Sequence, residues 1–336
     1  MERFQLPQAV QRCCDVLRSA GYGAYPVGGC VRDLLLGKVP ADWDVATSAT
    51  PAETEALFPH TVPTGVAHGT VTVLLEDTAL EVTSFRSEGT YSDGRHPDGV
   101  QFGVSLEEDL KRRDFTINAM ALDGAGAVID PFGGQRDLAA GVLRCVGDPD
   151  KRFREDALRM LRCLRFGAQL GFSVEGETLA ALTRNAPLAA RLSAERVVAE
   201  VQKTLLSPRP EAALALVALG LLAPYLPAGA ADARDTAVDG DALRAAHPTP
   251  EGRWRAFCRV TGLEIDRLPV SRSIRRAVHY CPAEDPRTLA VTGGELYAQG
   301  LRGAEIRKAQ QLLLTYVAQH PAENQKERLL EILRQN

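Results

Sequence analysis

Apolar positions near the start of the chain recur with a helical period. Val10, Cys13, Cys14 and Leu17 share one face, and Gly21 stops the run. Ala24 to Val27 reads as a short strand that ends at Gly28-Gly29, and Val31 to Leu36 predicts a helix closed by Gly37. Asp42 to Ala46 reads as a second strand. At Thr50-Pro51-Ala52-Glu53 the chain carries a helix start: Thr50 caps, Pro51 takes the first helical position and Glu53 completes a capping box. Val71 to Leu75 and Leu80 to Phe85 are β-rich runs separated by Glu76-Asp77-Thr78, which predicts a hairpin. Glu88 to Gly99 is polar and bears Gly, Asp and Pro, the pattern of a mobile loop. After Pro149 the period becomes helical: almost throughout from Lys151 to Leu206, as short helices joined by loops over 207–250, and again over 287–336. The pattern predicts an α+β head followed by an extended all-helical part, with no internal repeat.

Composition narrows the picture only a little. The 336 residues are 45% hydrophobic and 24% charged, ordinary for a soluble chain with a sizeable core and two or three domains. A formal net charge of −4 speaks weakly against nucleic-acid binding, but local basic clusters offset it. The seven cysteines are odd in number and include no C-x-x-C pair, so neither a zinc site nor a disulfide framework is expected. A reduced cytoplasmic compartment fits, and Met-Glu-Arg-Phe-Gln offers no apolar signal core. The longest apolar run, Ala212 to Leu222, is too short to cross a bilayer and predicts a buried helix.

The chemistry gathers near Asp42-Trp43-Asp44. Carboxylates at i and i+2 of a strand point to one face, and like charges held so close call for a cation between them. Upstream, Gly28-Gly29 lets backbone N–H groups approach an anion, although no G-x-x-x-x-G-K-[ST] loop is present. Arg32, one turn into the following helix, is placed to reach a phosphate. Together these suggest a magnesium–triphosphate site, with Glu81 on a neighbouring strand as a candidate third carboxylate. The bland reading is a solvated acidic turn. Further on, Asp156, Arg159, Arg162 and Arg165 recur every third residue and interleave with Leu158, Leu161, Leu164 and Phe166. They fit either a solvated basic face or a helix awaiting an anion or a base. Asp156 can accept from N4 of cytosine or N6 of adenine while Arg159 donates to the neighbouring ring acceptor; guanine and uracil present a carbonyl there instead. The bland readings of Arg112, Asp114 and Asn118 are a surface charge, a helix cap and turn support.

Gly28-Gly29-Cys30-Val31-Arg32-Asp33, followed by Asp42-Trp43-Asp44-Val45-Ala46-Thr47, resembles the first motif of class II tRNA nucleotidyltransferases and bacterial poly(A) polymerases. His68-Gly69-Thr70-Val71 and Glu81-Val82-Thr83-Ser84-Phe85-Arg86 resemble the strands that follow. Asp109-Leu110-Lys111-Arg112-Arg113-Asp114-Phe115-Thr116-Ile117-Asn118 resembles the ribose-and-phosphate motif, and Arg154-Glu155-Asp156-Ala157-Leu158-Arg159 with Arg162 and Arg165 resembles the nucleobase motif. These segments cover about half the chain. Val291-Thr292-Gly293-Gly294-Glu295-Leu296 resembles the tail of bacterial CCA-adding enzymes.

The resemblance implies a polymerase-β-like nucleotidyltransferase head over 1–148, a base-selecting neck over 149–206, a body over 207–286 and a tRNA-binding tail over 287–336. It implies template-independent addition of CCA to tRNA lacking part or all of its 3′ CCA, from CTP and ATP, with Mg²⁺ as cofactor. Asp42 and Asp44 would be catalytic and metal-binding, with Glu81 the candidate third ligand. Gly29, Arg32, Arg113, Asp156, Arg159, Arg162 and Arg165 would bind the nucleotide. The loop at 86–98 would help switch from C to A. Basic residues such as Arg272, Arg275, Arg276, Arg302, Arg307 and Lys308 suit an RNA backbone. No membrane association or protein partner is expected. The alternatives are a poly(A) polymerase or A-adding enzyme and, more remotely, an RNA-binding protein with an inactive head.

Overall fold

A computed structural model describes residues 4–65, 69–88, 100–227, 236–280, 285–320 and 323–335. The chain divides into two compact units, Met1–Pro269 and Val270–Asn336. The first takes in the expected head, neck and most of the body; the second takes in the end of the body and the tail.

The first unit is organised by a seven-stranded sheet. Its strands are β1 (Ala24–Val27), β2 (Asp44–Thr47), β3 (Thr61–Gly65), β4 (Thr70–Leu75), β5 (Thr78–Ser84), β8 (Ala121–Leu122) and β9 (Val128–Ile129), in the order β3-β4-β5-β2-β1-β8-β9. Only β2 and β5 run parallel, and their register sets Asp44 opposite Glu81 and Val45 opposite Val82. Alternation along β2 sends Val45 and Ala46 to different core clusters. Val45 and Val82 pack with Val10, Cys13, Cys14 and Leu17 of α1 (Gln8–Ser19), while Ala46 packs with Val27, Phe85 and Leu110. Asp44 and Glu81 therefore share the sheet face that α1 leaves free.

A glycine-governed turn feeds the site. Val27 leads into Gly28, whose φ of +80° is cheap only for glycine, and α2 (Gly29–Leu35) starts at once. Further along, α3 (Pro51–Leu57) has the expected capping box at Thr50, and α4 (Leu106–Lys111) has an equivalent one between Ser105 and Glu108. A 3₁₀ turn, Thr116–Asn118, follows α4, and α5 (Gly134–Ala140) packs so closely on it that a Cβ at Gly134 would meet the Thr116 carbonyl at 2.3 Å. Strands β6 (Arg86–Glu88) and β7 (Val100–Phe102) pair antiparallel at the root of the segment expected to be a loop. Most of that segment, with His96, and also His68, lies outside the described residues.

The helical part holds α6 (Pro149–Glu155), α7 (Leu158–Leu170), α8 (Gly176–Asn185) and α9 (Ala194–Leu205), followed by α10 (Ala213–Ala218), α11 (Thr236–Ala245) and α12 (Pro250–Thr261). Strands β10 (Val142–Leu143) and β11 (Ser173–Val174) pair in parallel, a link the helical period did not announce because each has two residues. The second unit comprises α13 (Arg272–His279), α14 (Gly293–Ala298), α15 (Ala304–Gln319) and α16 (Lys326–Gln335), with Val291, Leu296, Leu313 and Leu329 in its core.

Four expectations are corrected. Asp42 precedes β2 rather than lying on it, because β2 begins where Asp44 pairs with Val27. The first short helix opens at Gly29, two residues early. Asp156 is not on the arginine-bearing helix: it lies at the extended junction after α6, with φ −143° and ψ 105°. Finally, Ala212–Leu222 is not one helix; a 3₁₀ turn precedes the six-residue α10, and Gly220 at φ +75° ends the run.

Candidate active site

A cavity of about 760 Å³ in the first unit brings together Gly29, Arg32, Asp42, Asp44, Arg113, Asp156, Arg159, Arg162 and Arg165. All nine of these expected residues line it; Glu81 does not, although it pairs beside Asp44 in the sheet.

On one side stand the carboxylates. The side chains of Asp42 and Asp44 make no ion pair or hydrogen bond among the described residues. Burial pushes the Asp44 carboxyl above its usual range; Arg113 opposes this, and the like charges of Glu81 and Asp42 add to it. A cation beside Asp44 would offset both the burial and the like charges. Among the described residues no group of three or more His, Cys, Asp or Glu side chains is arranged to hold a metal ion. A two-carboxylate set nevertheless fits Mg²⁺, which usually keeps waters and completes its shell with substrate phosphates.

Beside them lies a basic wall. The nearest part of Arg113, Nη1, would sit 2.7 Å from a Cβ at Gly28, so this glycine makes room for the guanidinium. Buried Asp109 holds Arg113 at 3.4 Å and Arg112 at 2.7 Å, and accepts from the Arg86 backbone N–H at the root of the β6–β7 ribbon. Arg112 is thus a packed organising residue rather than a free surface charge. Arg32 is fixed by Asp33 at 2.8 Å and by Asn118 Oδ1 at 2.7 Å, and its guanidinium lies 5.3 Å from the Phe166 ring centroid. Arg162 and Arg165 also lie over that ring, at 5.3 and 4.0 Å.

The helical side is largely pre-paired. Buried Asp114 binds Arg162 at 2.6 Å and accepts from Asn118 Nδ2 and the Phe115 N–H. Burial alone would raise its pKa, but Arg162 and these hydrogen bonds win and hold the carboxyl down at about 2. Asp114 and Asn118 do support a turn, and they also hold two arginines of the cavity wall. Arg159 pairs with Glu155 at 2.6 Å and donates to the Arg112 and Arg152 carbonyls, so only 9% of it is exposed. Arg165 pairs with Glu200 at 2.5 Å, both buried. A solvated basic face is excluded for these two. Asp156 Oδ1 caps α7 through the Leu158 N–H at 3.0 Å, and Oδ2 accepts from Arg196 at 2.8 Å. Sequence reasoning missed Arg196, Glu200 and Asp109 as parts of this site. The spacing of Arg196 and Glu200, four apart on α9, was the one local signal.

This sheet, cavity and paired helices define a nucleotidyltransferase with a polymerase-β-like head and a helical continuation. Residues 24–144 match the family described as Poly A polymerase head domain, and residues 171–232 the probable RNA and SrmB-binding site of polymerase A. The CCA-adding enzyme of Geobacillus thermodenitrificans is 46% identical over 304 residues, covering 86% of this chain and 73% of the relative. That of Geobacillus stearothermophilus is 43% identical over 302 residues, with the same coverage of each. The crystal structure of the Bacillus stearothermophilus CCA-adding enzyme in complex with CTP superposes with a TM-score of 0.68 at 33% identity, covering 98% of this chain and 99% of that one. The Thermotoga maritima CCA-adding enzyme complexed with tRNA shares the fold, with a TM-score of 0.65 at 18% identity and coverage of 97% and 94%. The chain belongs to the CCA-adding enzyme family. That family implies divalent-metal dependence. Among the described residues no helix is long and apolar enough to cross a membrane.

Proposed function

We propose that this chain is a CCA tRNA nucleotidyltransferase that extends the 3′ end of tRNA from CTP and ATP without a nucleic-acid template, in the cytoplasm, with Mg²⁺ as the metal. The observation that carries the reading is the joining, in one cavity, of two carboxylates with no ion pair or hydrogen bond among the described residues and a separate carboxylate–arginine set able to read a base edge. The relatives' shared name supports CCA as the product.

Asp42 and Asp44 would hold the metal, whose chemistry lowers the pKa of the attacking hydroxyl and neutralises the pyrophosphate leaving group. Arg32 and Arg113, beside the glycine turn, are assigned to the triphosphate, and Gly29 keeps the backbone close to it. The terminal 3′-oxygen of the RNA forms a bond to the α-phosphorus as the bond to the β-phosphate oxygen breaks; pyrophosphate leaves. Asp156 is assigned the exocyclic amine of C or A and Arg159 the adjacent ring acceptor. Arg162 and Arg165 pack the base side of the pocket through Phe166. The four-part division into head, neck, body and tail, with RNA contacts on the late basic helices, belongs to the same reading.

The test is incorporation of labelled CTP and ATP into tRNA ending at the base before CCA. Two C residues and one terminal A are expected. Long A tails made without CTP would make the chain a poly(A) polymerase. Incorporation of neither nucleotide would leave only RNA binding.

A further inference from the structure

We infer that Arg196 on α9 is a specificity-determining positioning residue, which makes Asp156 an effective discriminator between bases carrying an exocyclic amine and bases carrying a carbonyl. The inference rests on the reading above that Asp156 faces the base. Asp156 sits at an extended junction between two helices: its backbone N–H donates to the Arg152 carbonyl of α6 and its own carbonyl accepts the Arg159 N–H of α7. Two contacts fix its carboxylate. One oxygen accepts the Leu158 N–H, and the other accepts Arg196 Nη2 at 2.8 Å from forty residues downstream.

The arginine is itself held on a firm platform. One turn further along α9, buried Glu200 grips Arg165 of α7 at 2.5 Å, so the two helices are joined by an ion pair beside the Arg196–Asp156 contact. Arg196 also lines the cavity, and its Nη1 is buried with no hydrogen-bond partner among the described residues. The protein thus leaves one guanidinium donor next to the discriminating carboxylate unused.

The chemistry follows from orientation. A carboxylate locked in place accepts from N4 of cytosine or N6 of adenine and confronts the carbonyl of uracil or guanine with a second acceptor. A carboxylate free to turn about its side-chain bonds swings away from the wrong base and stops penalising it. Arg196 therefore acts chiefly on the ratio between bases rather than on transfer itself.

The test uses the full chain with tRNA lacking CCA. It measures kcat/KM for CTP and for UTP separately, with thermal melting alongside. Arg196→Ala is expected to lower the CTP-over-UTP preference roughly tenfold, the scale of one lost hydrogen-bonding contact. Arg196→Lys should recover part of it. Arg184→Ala, which removes an exposed pair with Asp150, should leave it unchanged. If Arg196→Ala lowers use of both nucleotides by the same factor, Arg196 is structural and the inference falls. Should Arg196→Ala melt too low to assay, Arg196→Lys decides: a preference equal to wild type overturns the inference. Asp156→Ala separates the two layers. Full preference in that variant overturns the base-site reading itself, whereas lost preference there with an unaltered Arg196→Ala overturns only the role of Arg196.

Discussion

The two carboxylate centres of the cavity are built in opposite ways. Asp42 and Asp44 are left without a protein partner among the described residues, and burial with like charges raises the Asp44 carboxyl. Asp114 and Asp156 are each clasped by an arginine and by a backbone N–H. A group whose partner arrives with the substrate must be left unsatisfied, and that choice costs stability. On the proposed reading Asp156 tells one base from another and must be rigid before the base arrives, and its ion pair supplies that rigidity, while Asp114 keeps Arg162 in place. On the proposed reading, reaction and recognition occupy one cavity but follow different rules.

The largest expected effect breaks the open centre. Asp44→Ala should lower the single-turnover rate of CTP incorporation by at least about 10²–10³-fold, and Asp42→Ala should do the same. Neither should lower the melting temperature, because no partner is lost. A large drop in melting temperature would show that the pair is structural.

Next comes the glycine turn. Gly28→Ala forces a side chain into the positive-φ region and onto the Arg113 guanidinium. A raised KM for CTP is expected, by roughly tenfold or more, together with reduced stability of about 1–3 kcal/mol. An unchanged KM would remove Arg113 from the triphosphate site.

The clasped centre predicts the converse of the open one. Asp114→Asn leaves Arg162 without its counter-charge and should cost about 1–3 kcal/mol in denaturant unfolding. The pH dependence has a definite sign. The folded carboxyl sits at about 2, below the ordinary value of 3.8, so its stabilisation is present above about pH 4 and is lost as pH falls toward 2. The wild type should lose stability across that window by more than the Asn variant does. Equal acid sensitivity would show that Asp114 is not held down by Arg162.

The smallest effect lies in the second unit. Lys326 and Glu295 form a surface pair at 2.6 Å. Lys326→Ala should not measurably change thermal melting, since exposed ion pairs contribute little.

The sequence was most legible where structure is local. The Thr50 capping box, the β4–β5 hairpin and the strand ending at Gly28 depend on neighbours within a few residues, and each lies where the pattern indicates. The nine residues expected at the site are brought together, since all of them line one cavity. Their surroundings were less so. Where β2 starts is set by the pairing of Asp44 with Val27 of β1, seventeen residues away, and this removed Asp42 from the strand. Every third residue from Asp156 looked like one helix, but the backbone turns at Asp156 and only the arginines ride on α7. The partners Glu200 and Arg196 lie 35 and 40 residues from Arg165 and Asp156, beyond the reach of any local period. Buried pairs of this kind are specified by tertiary packing.

The central claim, that transfer and base choice are separately built, is tested most directly by comparing Asp44→Ala with Asp156→Ala under a CTP–UTP competition on tRNA lacking CCA. The expected result is near-complete loss of incorporation of both nucleotides in the first variant, and continued incorporation with a collapsed preference for C in the second. Loss of activity in Asp156→Ala with the C preference of its residual products intact would contradict it.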